Sequence, residues 1–491
     1  MTAAPKPSGK PSLTPSGRSY LSGSIGVLTS QAIAMVAGVL SLWLLTRILE
    51  AEAFAGYAVA MSVAVILGYT AGYGSERVML LKIGGLPPEA NLLRGRRLAQ
   101  QIIALVFVTA SATAALAILV LSLWPNLSGE TEVLPWLIAL SPIVPATAIV
   151  LALVTWYQSN HEVGIPQTTG GMTDGSRCLG FAATFVFGLG AAAVAPAAVI
   201  AALLPAAVLA WRARGRTESE PGSFSLRDMR DGLQFFAIRL AQTGFHHLDI
   251  MVLAAFAPDP SLVAQYVVAS RFAAIVEAGQ QVFVPAYTPR ARRHSAEGKA
   301  ETVAREYGVA RTLGILASGT AVLIFILIGR PLLDFFGEFG AAYDAFLILC
   351  AAYLLQVGFG LHSAHLSMVG ELRLSTLSRL GSLVALAIFL LVLVPRLGQT
   401  GAALSLVLAH LVLGLSGIWI LKARAGITAL TPTNALVLAI GVSGLLMAAL
   451  AAAPPWVAVA GMLVLLGTTA AQNTSLLTNV TGELLSLLRR S

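Results

Sequence analysis

The chain has 491 residues, 57% of them hydrophobic and only 11% charged, and its mean hydropathy is +0.81. A soluble protein carries about 25% charged residues and fewer apolar ones, so composition excludes a soluble enzyme, a disordered chain and a nucleic-acid binder. The net charge of +8 is the excess expected where Lys and Arg hold loops in the cytoplasm.

In chain order, residues 1–23 open with MTAAPKPSGKPSLTPSGR, a Pro- and Ser-rich basic segment that reads as a disordered cytoplasmic tail rather than a cleavable leader. Runs long enough to cross a bilayer follow at 24–45, 53–73, 98–124, 134–156, 177–193, 194–211, 233–257, 262–286, 308–329, 341–361, 375–394, 400–421, 433–452 and 455–472. The fifth and sixth form the least separated hairpin, joined only through Gly188-Leu189-Gly190 and an alanine run. The expected fold is therefore an all-α polytopic membrane protein of about fourteen helices. Residues 473–491 place Leu477, Val480, Leu484 and Leu488 on one face, as an interfacial amphipathic helix or a short cytoplasmic tail. Cys178 and Cys350 both lie in apolar runs, so neither a disulfide framework nor a zinc site is expected.

Charge tests the topology independently. With both termini inside, all but five of the 31 Lys and Arg residues fall on the cytoplasmic side. Arg47, Arg330 and Arg396 fall at outer ends, and Arg239 and Arg271 within spans. The polar segment 212–232 (WRARGRTESEPGSFSLRDMRDG, from Trp211) reads as a cytoplasmic linker. It divides a first lobe, 24–211, from a second, 233–422, with 423–472 supplying two further helices. A short internal repeat supports the division. FAGYAVA after the first span and VAQYVVA after the seventh place Tyr57 and Tyr266 in register, six spans apart. An even separation gives the lobes the same orientation, related by a pseudo-twofold axis along the membrane normal.

The stretch LLTRILEAEAFAGYAVAMS resembles the opening signature of bacterial polysaccharide flippases, and LDIMVLAAFAPDPSLVAQYVVASRF resembles the start of their second lobe. These flippases belong to the multidrug/oligosaccharidyl-lipid/polysaccharide exporter superfamily. The resemblance implies a transporter, not an enzyme, of the inner membrane. It would move a lipid-linked oligosaccharide by alternating access, among membrane lipids and beside glycosyltransferases or a polymerase of the same pathway, with no cofactor.

Intramembrane charge is expensive and marks function. Arg239, Gln242, His246 and Asp249 recur at helical spacing along the seventh span, as a cavity wall or an interhelical network. His246 and Asp249 are close enough to pair. Arg271 lies near the middle of the eighth span, followed by Glu277. Buried arginines suit a pyrophosphate, because the guanidinium fork matches phosphate geometry. Substrate contacts are thus expected from Arg271, Arg239, Gln242, His246, Arg47, Arg77 and Gln31, with membrane anchoring the alternative for Arg47 and Arg77. Asp249 and Glu277 are the candidates for ion coupling. His362 and His365 lack acidic neighbours and do not read as a metal site. The last four spans hold almost no charge, as scaffold or as a flank for a lipid tail. A cation-coupled drug exporter is the second reading, weakened by the lack of an expected mid-membrane carboxylate in the first lobe. A membrane enzyme on lipid-linked sugars is the third.

Overall fold

The computed structural model describes residues 33–84, 92–128, 132–162, 168–218, 224–337, 339–368, 371–428, 430–451 and 453–474. Among these the chain is helical, with one isolated β-bridge between Leu93 and Thr217. The expected N-terminal tail, Gln31 and the amphipathic segment beyond residue 474 lie outside the described residues.

The first helices are α1 (Ile33–Ile48), α2 (Ala51–Thr70), α3 (Arg96–Leu123), α4 (Val133–Leu140 continued by Ile143–Ser159), α5 (Thr169–Val186) and α6 (Val194–Ala213). The two parts of α4 meet at 44° across Ser141-Pro142, because proline cannot continue the hydrogen-bond ladder of the turn before it. Next come α7 (Leu226–Phe256), α8 (Pro260–Gln281), α9 (Ala300–Gly337) and α10 (Tyr343–Phe359). Leu372–Ala425 is broken at Gly398 into two arms, α11 before and α12 after, followed by α13 (Pro432–Leu450) and α14 (Pro455–Gln472). This is a multi-pass membrane protein of about fourteen spans.

The main boundary difference is in α5. It begins at Thr169 rather than at 177 and ends at Val186, where Gly188 and Gly190 turn the chain with positive φ. Asp174 and Arg177 therefore lie inside a helix expected to be apolar. They lower its hydropathy, and neither α5 nor α7 is among the nine described helices apolar enough to qualify as spans on composition alone.

Local chemistry sets the helix starts. Asp259 caps α8 by accepting from the Ser261 backbone N–H at 2.8 Å, with Pro260 opening the first turn. At α7, the Asp228 carboxylate accepts from the Ser225 backbone N–H at 2.7 Å. The repeat partners α2 and α8 touch, and α2 also packs along α7, so these three form the seam between the early and late helices. The seam is latched at both ends. At one end Lys82 pairs with Asp228 at 2.7 Å, the Tyr73 and Phe236 rings meet at 5.3 Å, and Gly74 rests against Gly232. A Cβ at Gly74 would fall 2.0 Å from the Gly232 carbonyl oxygen, and its φ of +77° also requires glycine. At the other end Arg47 donates to the Phe335 carbonyl at 3.0 Å, and Trp43 stacks on Phe335.

Among the late helices α10 is the central post, packed on α8, α9 and α13 and almost wholly buried. The α13–α14 pair docks on its outside through a small-residue seam. Gly461 approaches the Ile440 carbonyl so closely that a Cβ there would sit at 3.0 Å, the close backbone approach that stabilises helix pairs in lipid.

Candidate functional site

Between α2, α7, α8 and α10 lies a cavity of about 290 Å³. It takes in much of the expected polar stripe: Arg239, Gln242, His246 and Asp249 from α7, and Arg271 from α8. A smaller cavity of about 80 Å³ adjoins it, sharing Gln242, His246 and Tyr353 and ending on Glu277, Gln356, Arg379 and His410. The stripe is thus a cavity wall.

The charges in it are handled differently. Arg271 is solvent-accessible through the cavity and has no hydrogen bond or ion pair to any described residue. Its guanidinium therefore presents a full set of donors to whatever fills the space. Arg239 lies over the Tyr69 ring at 5.4 Å, a cation–π contact that offsets part of its desolvation. Asp249 is buried. One oxygen accepts from the Tyr266 hydroxyl at 2.8 Å, while Oδ1 has no hydrogen-bond partner among the described residues. Glu277 is the better satisfied carboxylate, accepting from Gln281 at 3.2 Å and Gln356 at 3.0 Å.

The pairing of His246 with Asp249 does not form. Each turns to a neighbouring helix instead: His246 Nε2 lies 3.8 Å from Glu277, and Asp249 is taken by Tyr266. The register tyrosine of the repeat thus has a direct polar role. Arg47 lies at the bundle end against Trp43 and Phe335, outside the cavity lining. Arg77 stands beside buried Glu76 in the short turn after α2, close enough to Arg239 to act on it electrostatically but not lining the cavity. His365 Nδ1 is hydrogen-bonded with the Tyr287 hydroxyl at 2.5 Å, and among the described residues no cluster of metal-ligand type occurs.

Four features went unread in the sequence. His247 is bound through Nδ1 to Ser62 of α2 at 3.1 Å. Arg379 reaches the smaller cavity from α11, a span read as nearly free of charge. Asp174 and Arg177 pair on α5 at 3.5 Å, so the first six helices do carry an intrahelical carboxylate. Their i,i+3 spacing was the available signal, obscured by starting the span at Arg177.

No family model matches the sequence, and no curated protein matches it. Solved structures do. A lipid II flippase, MurJ, in an inward closed conformation superposes with a TM-score of 0.67 over 92% of this chain and 100% of its own, at 13% identity. An inward-facing multidrug resistance MATE transporter of the MOP superfamily gives 0.60 over 82% of this chain and 98% of its own, at 16% identity. A MOP superfamily transporter from Pyrococcus furiosus, described as having a binding pocket of reversed polarity, gives 0.58 over 83% of this chain and 95% of its own, at 16% identity. The chain shares the fold of these structures. In that fold the cavity lies where the early and late helices face each other across α2, α7 and α8.

Proposed function

We propose that the chain is a flippase that carries a lipid-linked oligosaccharide from the cytoplasmic to the periplasmic leaflet of a bacterial inner membrane. Both termini are cytoplasmic in this reading, and lobes 24–211 and 233–422, joined by 212–232, rock against each other in alternating access. The observation that carries it is Arg271, a solvent-accessible guanidinium without a partner among the described residues, in a cavity deep in the bundle. An uncompensated cation there is costly, and an anionic headgroup offsets that cost with bidentate hydrogen bonds. The fold likeness to a lipid II flippase, and to transporters rather than enzymes, supports the same reading.

The test is flipping of a fluorescent polyprenyl-diphosphate glycan in proteoliposomes. Arg271→Ala should stop it while the protein still inserts and accumulates. Arg271→Lys should keep part of it, since lysine retains the charge but not the fork. Normal flipping by the alanine variant would remove the anionic-substrate argument.

A drug-exporter reading is favoured by one observation: Asp174, Asp249 and Glu277 place carboxylates in both halves. Gradient-driven efflux of a cationic dye, lost in Asp249→Asn, together with no glycan flipping, would select that reading.

A further inference from the structure

The smaller cavity is walled by α7, α8, α10, α11 and α12, all late helices, whereas the larger one also takes in α2. The two differ in charge. Arg239 and Arg271 line the larger against one carboxylate, Asp249, while Arg379 and Glu277 balance each other in the smaller. A balanced wall exerts little net pull on an anion, and the fixed guanidinium repels a metal cation.

What the smaller cavity offers is hydrogen bonding of both kinds. Arg379 has no hydrogen bond or ion pair to any described residue, so its donors remain for the cavity. His410 Nδ1 donates to the Leu406 carbonyl at 2.8 Å, which leaves Nε2 of the neutral ring as an acceptor. That ring is held by Phe245 and Tyr353, with centroids at 5.2 and 5.9 Å. Glu277 is fixed by Gln281 and Gln356 and still has lone pairs to give. Gln356 Oε1 has no hydrogen-bond partner among the described residues. A sugar hydroxyl is donor and acceptor at once, and a wall that alternates the two without net charge suits it. The space open to water centres is about 80 Å³, enough for roughly five to eight waters, which is the room one sugar ring takes.

We propose that the smaller cavity is a subsite for one sugar ring of the substrate, recognised by the late helices alone. The proposal rests on the flippase reading and adds to it the residues that read the glycan. Gln242, His246 and Tyr353 line both cavities, so a ligand seated in the larger borders the smaller. Arg379 and His410 are then specificity residues that do not hold the charged part of the substrate.

The experiment titrates the purified full chain in detergent with four diphosphate diesters of equal charge. One is farnesyl methyl diphosphate, and the others carry glucose, galactose or N-acetylglucosamine in place of the methyl group. At least one sugar ester should bind about tenfold more tightly than the methyl ester, as one or two added hydrogen bonds predict. Equal or weaker binding by all three would overturn the subsite. His410→Phe, which keeps the ring packing, and Arg379→Met should each remove that gain and leave methyl ester binding unchanged. If Arg379→Met fails to fold because Glu277 loses its counter-charge, Arg379→Met combined with Glu277→Gln replaces it and should lose the gain equally. A gain kept in these variants, or a methyl ester weakened as much as the sugar ester, would overturn the proposal. Calorimetric binding of sodium by the native chain, lost in Glu277→Gln, would make this a cation site and overturn it too. Glycan flipping without discrimination among the esters would defeat the subsite and leave the flippase reading. Discrimination without flipping would do the opposite.

Discussion

Helices α5, α7 and α8 and the pair α13–α14 belong to one bundle but are stabilised by opposite means. The first three carry Asp174, Arg177, Arg239, Asp249, Arg271 and Glu277, and their charges face a cavity or each other. The pair is mostly exposed on its flanks, carries no charged side chain within its helices, and is held by backbone approach at Gly444 and Gly461. A membrane helix can thus be placed by packing alone, or can hold charge where the fold keeps water or a ligand within reach. Only the second arrangement gives a site.

That contrast can be broken most forcefully on the packing side. A Cβ at Gly414 of α12 would lie 1.9 Å from the Phe359 ring of α10, so Gly414→Leu should cost at least the ~1–3 kcal/mol of an overpacked core. Fluorescence-detected size exclusion should show it failing to accumulate. Arg271→Met should do the reverse, leaving thermal stability unchanged or raised, because a solvent-accessible charge with no hydrogen bond or ion pair among the described residues contributes little to folding. A clear drop in its melting temperature would mean Arg271 is structural, and the contrast would fail.

A smaller effect is expected at Tyr266→Phe, which removes the hydroxyl that donates to Asp249. Leaving that carboxylate unsatisfied should cost about 1–3 kcal/mol, and Asp249→Asn in the same background should recover part of it. If Tyr266→Phe unfolds like the native protein, the Asp249 carboxylate is satisfied by other means.

The smallest effect concerns the Lys82–Asp228 latch. Slight desolvation raises the Asp228 carboxyl, but the Lys82 ammonium and the Ser225 donors outweigh it and hold the group below its ordinary value. A depressed folded-state value means the latch is fully present above the unfolded value of about 3.9 and is lost as pH falls through the folded one. Asp228→Asn should cost about 0–1 kcal/mol at neutral pH. It should also flatten the stability profile below about pH 4. An unchanged acid limb would show that the latch contributes nothing to folding.

Most of the fold was legible because lipid demands long apolar helices, and hydropathy reads them directly. The register of Tyr57 with Tyr266 also located the two helices that meet at the seam. What failed was α5, where Gly170, Gly171, Asp174 and Arg177 dilute the apolar signal and shifted the start of the span to 177. The α7 stripe was legible from its spacing, and the cavity lies along it. Partner choice was not: His246 meets Glu277 across two helices, and Asp249 meets Tyr266, neither of which a single-helix spacing can encode. Arg379 was missed for the same reason, since one charge in an apolar span gains meaning only from what faces it.

The turn at Gly188 and Gly190 has a consequence for biogenesis. Helix α5 is too polar to partition from the translocon into lipid alone, whereas the segment Ala191–Ala213 has a window hydropathy of 2.3. With only the Phe187–Gly190 turn and one short helical turn between α5 and α6, the two cannot enter separately. Helix α6 must carry α5 in as a hairpin, with Asp174 and Arg177 neutralising each other during passage. The charged pair of α5 is then tolerated during synthesis because its apolar partner follows at once.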